Sequence, residues 1–354
     1  MILRLLFLAG CCTAGLAFAA TEPAPPTRPE DVPAQPADAP ATPLRPEDTP
    51  AQPADTPAEP APATDEKPAG RPVTDWIEAQ VALHRTGFSC GSIDGVRGPQ
   101  SAAALSAWQR QAGLRETGEL DAATREQLLV ADPVFTTHTF TAEELGRRKP
   151  APETWVEKSQ RTELYYVTAL ELVAERYHAS PKFIQRLNPD FNWDDLLPGA
   201  MIKVPAVEPF TTTLRASRIH VRLADHVLEV TDRAGNIIFH CPVSIARMVE
   251  KRPVGELEVI TVAPNPNYTF DPAVFPEVPE AQELGRKLII PPGPNNPVGL
   301  AWIGLDRPGY GIHGTPDPEK VGRTESHGCF RLANWDAVAL LSIAWVGLTV
   351  VVEP

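Results

Sequence analysis

Residues 309–332 read GYGIHGTPDPEKVGRTESHGCFRL, and this stretch decides how the rest of the chain is interpreted. His313 precedes Cys329 by 16 residues, and glycines are frequent between them. The thiolate is the reactive form of cysteine, and a neighbouring imidazole can deprotonate the thiol. The stretch therefore predicts a cysteine nucleophile with a histidine base.

The neighbours of Cys329 suit such a role. Gly328 allows the backbone to approach a substrate, and N–H groups around the cysteine can face a developing oxyanion. Arg331 lies two residues further on, so in an extended strand it shares the face of Cys329, and its guanidinium could hold a substrate carboxylate. Ser326 and His327 can donate hydrogen bonds, with Ser326 as a candidate for binding the substrate, or they can simply close the turn.

The surrounding residues, about 210–354, predict a β-rich domain. The segment RIHVRLADHVLEVTDRAGNIIFHCPVSIA (218–246) contains three strand patterns separated by short turns, which indicates a three-stranded meander. Further strands are expected in GELEVITVA (255–263), GLAWIGL (299–305) and GLTVVVE (347–353), and a helix is expected from Asn334. The expected fold is an antiparallel sheet with one or two helices.

The motif HGT (313–315) with SHGCFRL (326–332) resembles the signature of the L,D-transpeptidase catalytic domain of the YkuD type. RPVGELEV (252–259) and PPGPNNPVGLAWIGL (291–305) are also similar to segments of that family, and the resemblance spans about 213–352. It implies Cys329 as the nucleophile and His313 as the general base. It further implies that His327 and Gly328 shape the oxyanion site, that the Gly314 carbonyl supports the base, and that Arg331 binds or organises the donor.

The resemblance also implies the reaction. Cys329 would attack a donor stem peptide of peptidoglycan and form a thioester, which an acceptor amine would resolve. The result would be a peptidoglycan cross-link, or a lipoprotein lysine attached to the wall; with water as acceptor the activity would be that of an L,D-carboxypeptidase. The rival readings are a non-catalytic peptidoglycan-binding scaffold and a cysteine peptidase of ordinary proteins.

Two small blocks precede this domain. Residues 73–132 resemble the three-helix peptidoglycan-binding domain, in GSIDGVRGPQSAAAL (91–105), in the Trp108–Gln109 pair and in the Gly118 turn. Residues 163–206 resemble a small α/β LysM module, with a strand start at Tyr165–Val167, two helices and a final strand after LLPG. The module departs from the family turn at 169–171. Either block could instead be a packing module that binds no glycan.

The N-terminus predicts export. Residues 1–20 combine Arg4, an apolar run and a small-residue end, as in a secretory signal peptide cleaved after Ala19. The rival reading takes Leu8–Cys11 as a lipobox, which would place a lipid anchor at Cys11 and give the only membrane attachment. An N-terminal core helix is the third reading. We expect a protein of the periplasm or cell envelope.

Residues 21–72 are a proline-rich, acidic segment. They hold 16 of the 40 prolines, and RPEDVPAQPADAP (28–40) returns as RPEDTPAQPADTP (45–57). Such a composition buries too little apolar surface to offset the entropy of ordering, so we predict a disordered linker. Its ten acidic and four basic residues give −6 of the total charge of −13. The chain therefore has no basic footprint for nucleic acid.

The remaining histidines and cysteines show neither a second nucleophile–base pattern nor metal-ligand spacing. The sequence has five cysteines, of which Cys90, Cys241 and Cys329 follow the predicted signal peptide, so at least one thiol is unpaired. Cys90 and Cys241 could be a bridge or two buried residues. His240 and Cys241 are adjacent in one predicted strand, so their side chains point to opposite faces. No histidine spacing indicates a metal site, and we expect neither metal nor cofactor.

Overall fold

The structure is a computed structural model that describes residues 70–275, 278–323 and 328–354. The predicted signal peptide and nearly all of the predicted linker lie outside the described residues. Residues Arg71–Pro72, which the linker prediction included, instead form a short strand paired with Leu129–Val130. The Arg71 guanidinium holds this strand in place through a bidentate contact with Glu78, at 2.9 and 2.6 Å.

The first block contains three helices, as the sequence predicted. Asp75 caps the first helix and Asp121 caps the third, each accepting a backbone N–H three residues later. Pro99 opens the second helix, where its missing N–H leaves no donor unsatisfied. Buried Gln109 explains the Trp–Gln pattern, because its side chain bonds the turn around Gly118 at 2.9 Å. The elements are β1 (Arg71–Pro72), α1 (Trp76–Arg85), α2 (Pro99–Gln111), α3 (Ala122–Gln127) and β2 (Leu129–Val130).

The second block is larger than predicted. The strand expected at Tyr165–Val167 was wrong, because no strand lies within the described residues 161–168. The partner of the final strand is instead Phe135–Thr139, which pairs antiparallel with Met201–Pro205. Residues 165–167 instead lead into a helix, and the Val167 N–H donates to the Glu171 carboxylate in the first turn of that helix. The elements are β3 (Phe135–Thr139), α4 (Ala142–Arg147), α5 (Trp155–Ser159), α6 (Ala169–Arg176), α7 (Pro181–Leu187) and β4 (Met201–Pro205).

The third block is built on an eight-stranded sheet. The predicted meander forms as β5, β6 and β7, paired in sequence order. The strands of the sheet are β5 (Arg218–Arg222), β6 (Val227–Thr231), β7 (Ile237–Pro242), β8 (Gly255–Pro264), β11 (Ala301–Leu305), β12 (Gly311–His313), β13 (Phe330–Arg331) and β14 (Thr349–Glu353). Two further strands, β9 (Tyr268–Phe270) and β10 (Leu288–Ile290), pair with each other in a separate two-stranded sheet. The helices are α8 (Pro279–Leu284) and α9 (Asn334–Ile343).

The sheet is mixed rather than antiparallel. Its order is β13-β12-β11-β8-β14-β5-β6-β7. Within the described residues two of the seven pairings are parallel, β12 with β13 and β14 with β5. The parallel pairs join strands that long connections separate, and these connections allow the same strand direction. The prediction of a mainly β domain with one or two helices is otherwise confirmed.

The N-terminal blocks pack directly on this domain. The first two blocks share one apolar core, which Ile237 of β7 also enters, and the large sheet has a second core with α9. Arg110 of α2 pairs with Glu229 of β6 at 2.6 Å. Helix α5 stacks Trp155 on Phe270 of β9, with ring centroids 4.0 Å apart. Among the described residues no helix combines the length and apolarity needed to cross a bilayer.

Candidate active site

Three neighbouring strands place the candidate residues. Trp302 of β11 is opposite His313 of β12, and His313 is opposite Arg331 of β13. Residues in register on adjacent strands point to the same face of a sheet, so these three side chains form a row. Cys329 lies two residues before Arg331, just ahead of β13. The structure therefore brings the predicted base, cysteine and arginine to one end of the sheet.

His313 is held in one tautomer. Its Nδ1 lies 2.6 Å from the carbonyl oxygen of Gly314, and the ring is only 6% exposed. Because a carbonyl only accepts, Nδ1 must carry the proton, which leaves the lone pair on Nε2. Burial lowers the pKa of His313 to about 4, with the nearby Arg331 charge acting in the same direction and the Gly314 bond opposing it. The imidazole is therefore neutral, and able to accept a proton, above about pH 4.

Cys329 rests as a thiol. Its Sγ donates to the Gly309 carbonyl at 3.4 Å, and the residue is partly exposed. Burial raises the pKa of the Cys329 thiol, while a backbone contact from Gly311 and the charge of Arg331 act against that rise. Proton removal must then accompany attack on a substrate, which calls for a base such as neutral His313.

Arg331 is anchored through its backbone. Its N–H and C=O exchange hydrogen bonds with Ser244 at 3.0 and 2.9 Å. Burial lowers the pKa of the guanidinium, and the charge of Asp317 opposes this. The side chain lies in the same row as His313, where it can face a substrate carboxylate.

The remaining predicted residues are less defined. Ser326 and His327 lie outside the described residues. At Gly328 the nearest described atom to a Cβ would be in the ring of Tyr310, at 3.9 Å. That distance is an ordinary contact, so Tyr310 does not exclude a side chain there. The roles of His327, Gly328 and Ser326 stay predictions.

Three further residues belong to this site and were not identified from the sequence. The Trp302 ring stacks on His313, with centroids 5.6 Å apart. Burial raises the pKa of Tyr268 to about 12, and a thiolate at Cys329 would act in the same direction. Asn334 is completely buried beside Gly314. Tyr268 and Trp302 lie far from Cys329 in the sequence, and Asn334 was predicted only as the start of a helix, so no local pattern indicated a role for these residues at the site.

A cleft adjoins this site but does not contain it. It has a volume of about 860 Å³ and is lined by the α4–α6 region and by Pro316 and Asp317, which follow the base. Neither Cys329 nor His313 lines it. In the described part of the chain no group of three or more His, Cys, Asp or Glu side chains converges as metal ligands would.

Residues 216–352 match the YkuD family model, the L,D-transpeptidase catalytic domain. The third block is an L,D-transpeptidase catalytic domain. Residues 73–128 match the model described as "Putative peptidoglycan binding domain". These two matches confirm the corresponding resemblances, and the LysM-like resemblance of the second block remains a prediction.

Two relatives by sequence and one solved structure are similar to parts of this chain. "Putative L,D-transpeptidase YkuD" of Bacillus licheniformis is 25% identical over 185 residues, which are 52% of this chain and 93% of that protein. "Probable L,D-transpeptidase YbiS" of Escherichia coli K12 is 28% identical over 184 residues, 51% of this chain and 58% of that protein. An L,D-transpeptidase structure from Mycobacterium smegmatis aligns with a TM-score of 0.31 at 18% identity, covering 44% of this chain and 64% of that one.

Proposed function

We propose that this protein is an exported L,D-transpeptidase that acts on peptidoglycan stem peptides through a Cys329 thioester. The observation that carries the proposal is the Nδ1 bond of His313 to the Gly314 carbonyl at 2.6 Å, which leaves Nε2 as a neutral base at the end of the sheet where Cys329 lies. The catalytic-domain match of residues 216–352 supports the same assignment.

In the first half-reaction Cys329 Sγ attacks the carbonyl carbon of the third residue of a donor tetrapeptide. The thiol proton passes to His313 Nε2, and the carbonyl becomes an oxyanion that backbone N–H groups near Gly328 stabilise. The carbon–nitrogen bond then breaks. His313 returns its proton to the departing amine of D-alanine, and a thioester remains on Cys329.

In the second half-reaction an acceptor amine attacks the thioester carbonyl. His313 takes the amine proton, a new amide bond forms, and the cysteine sulfur leaves and is reprotonated. With meso-diaminopimelate as donor residue and acceptor side chain, the product is a 3→3 cross-link. Water as acceptor would give a tripeptide, and a lipoprotein lysine would give a protein anchored to the wall.

In this proposal the other parts of the chain bind the donor, hold the enzyme on peptidoglycan and direct its export. Arg331 binds a carboxylate of the donor, because a guanidinium matches a carboxylate in a bidentate way. The first block and the proposed LysM-like second block hold the enzyme on peptidoglycan and raise its local concentration there. The segment 1–20 directs export, either with cleavage or with a lipid at Cys11.

The deciding experiment uses purified mature protein and a disaccharide-tetrapeptide muropeptide. Products are identified by mass spectrometry, with Cys329→Ala run in parallel. Cross-linked dimers that depend on Cys329 establish an L,D-transpeptidase. Tripeptides alone assign an L,D-carboxypeptidase. If both proteins leave the muropeptide unchanged while still binding peptidoglycan, the enzyme assignment is wrong and a wall-binding scaffold replaces it.

A further inference from the structure

A buried carboxylate of the second block reaches into the catalytic domain. Glu175 lies on α6 and is 7% exposed. Both of its oxygens accept from the side-chain amide of Asn334, each at 3.1 Å. The Tyr166 hydroxyl donates to the same carboxylate at 2.8 Å. Glu175 is thus held by its own block while it holds a residue of the next one.

These contacts fix the orientation of the Asn334 amide. Its Nδ2 also donates to the Pro294 carbonyl at 3.0 Å, and its Oδ1 accepts from the Leu300 N–H at 3.1 Å. A flipped amide would set its oxygen against the Glu175 carboxylate and its NH₂ group against the Leu300 N–H. Both arrangements leave buried polar groups unpaired, which is costly.

The correctly oriented Oδ1 lies directly on the loop that supports the base. A Cβ at Gly314 would be 2.2 Å from this oxygen, and a Cβ at Gly299 would be 2.0 Å from it. Gly314 supplies the carbonyl that fixes the His313 tautomer. A continuous line of contacts therefore runs from Glu175 through Asn334 and Gly314 to the imidazole.

We propose that Glu175 is a positioning residue for the transpeptidase reaction, acting from the second block through the Asn334 amide on the Gly314 carbonyl and His313. The second block then completes the catalytic machinery as well as attaching the enzyme to its substrate. The turnover test of this inference rests on the proposed function. Small displacements of a catalytic group can cost about 100-fold in rate, so contacts of this kind have measurable effects.

The test compares three variants of the full chain with the wild type. Glu175→Ala removes the acceptor, and Glu175→Gln keeps the shape and one acceptor for Asn334. Glu171→Ala is the matched control: Glu171 lies one turn earlier on α6 and accepts from another asparagine of the catalytic domain, Asn295, at 2.7 Å. Steady-state kcat and KM are measured with the muropeptide. The rate of Cys329 alkylation by iodoacetamide is measured as well, because it needs no turnover.

We expect Glu175→Ala to lower kcat by roughly 10- to 100-fold with KM within about twofold, and to slow alkylation. Glu175→Gln should recover most of both rates, and Glu171→Ala should change kcat by less than about threefold. Equal losses in Glu175→Ala and Glu171→Ala, or no recovery in Glu175→Gln, would show only a loosened interface and overturn the proposal.

Two further arms keep the test decisive. If Glu175→Ala does not fold, Glu175→Asp replaces it, because it keeps the carboxyl group but withdraws it by about 1.5 Å. A wild-type alkylation rate in Glu175→Asp would overturn the proposal. If the wild type produces nothing from muropeptides, the proposed function fails, and the alkylation rates alone then decide whether Glu175 positions the base.

Discussion

The eight-stranded sheet carries a histidine and a cysteine near each of its two ends, and the surroundings of the two pairs differ. At the β13 end Cys329 is partly exposed; burial raises the pKa of its thiol, and the neighbouring charge of Arg331 opposes that rise. At the β7 end Cys241 is fully buried near the carboxyl of Asp336, and burial raises the pKa of its thiol well above the ordinary value. A substrate can therefore reach the cysteine near β13, whereas the cysteine in β7 is enclosed in the core.

The histidines differ in the same way. His313 donates Nδ1 to a backbone carbonyl, which leaves Nε2 as an uncharged acceptor. His240 instead faces the Glu229 carboxylate at 3.3 Å, within an ion cluster that also contains Arg222 and Arg110. The Gly314 carbonyl leaves the Nε2 of His313 as an acceptor near Cys329, whereas the partner of His240 is a buried carboxylate that two arginines also hold. The two histidines therefore differ in the hydrogen-bond partner of the imidazole, although the residue type is the same.

The largest expected effect is the loss of the nucleophile. Cys329→Ala should lower muropeptide turnover by roughly 1,000-fold or more, because a missing nucleophile removes the covalent route. Cys241→Ala should leave turnover within about twofold and lower stability by about 1 kcal/mol through lost packing. Turnover by mass spectrometry and unfolding by urea test the pair. Similar losses of turnover in both variants would contradict the contrast between the two ends.

Replacement of the histidines should give the next largest contrast. His313→Gln should lower kcat by about 100- to 10,000-fold, the usual contribution of a general base. His240→Gln should retain turnover while the protein melts at a lower temperature, because a buried contact to Glu229 is weakened. Kinetics and melting curves for both variants provide the measurement. A large kcat loss in a stably folded His240→Gln protein would show that the β7 end participates in catalysis.

The pH dependence should report the burial of His313. Its pKa of about 4 means that the base becomes protonated only below that pH. kcat/KM should therefore stay level from neutral pH to about pH 5 and fall with a midpoint near 4. Because the folded-state pKa lies below the ordinary value of 6.5, His313 also makes the folded state less stable as the pH falls from 6.5 to 4. An acid limb centred at 6.5 would show an exposed imidazole instead.

Local signals explain why much of this architecture was predictable. Strand alternation with short turns indicated the meander at 218–242, and Asp75, Pro99 and Asp121 marked helix starts. The cysteine, histidine and arginine of the site share one short region of sequence. The strand register then brings His313 beside Arg331 on neighbouring strands.

Long-range pairings were not predictable in the same way. The parallel pairing of β14 with β5 and the ribbon of β3 with β4 join segments that no local pattern connects. Phe135–Thr139 was therefore missed as a strand, and the second block was placed too late. The contact of Glu175 with Asn334 spans 159 residues and depends on how two blocks pack. Such contacts follow from tertiary packing, which local propensity does not encode.

A smaller effect should follow when the charge beside the reactive thiol is removed. Arg331→Gln removes a cation that lowers the pKa of Cys329, so the thiolate becomes scarcer at neutral pH. We expect alkylation of Cys329 by iodoacetamide at pH 7 to slow by about three- to tenfold, since one pKa unit corresponds to a factor of ten. Arg331→Lys, which keeps the charge, is the control and should lie closer to the wild type. A faster reaction in Arg331→Gln would assign the guanidinium a shielding role.

The smallest effect on activity is expected from Asp336→Asn, which should act on stability alone. Burial raises the pKa of Asp336 to about 8 from 3.8, so between these values the folded protein keeps a proton that the unfolded chain has released. The free energy of unfolding contributed by this group therefore decreases as the pH rises from about 4 to 8. Asparagine does not titrate, so the variant should gain melting temperature relative to the wild type between pH 5 and pH 8, with turnover unchanged.

Asp317→Asn is the control for an accessible carboxyl, and its melting temperature should follow the wild type over the same range. A constant difference between Asp336→Asn and the wild type would mean that Asp336 is ionised in the folded protein, and the contrast between a thiol beside a buried neutral acid and a thiol beside a guanidinium would then have to be redrawn.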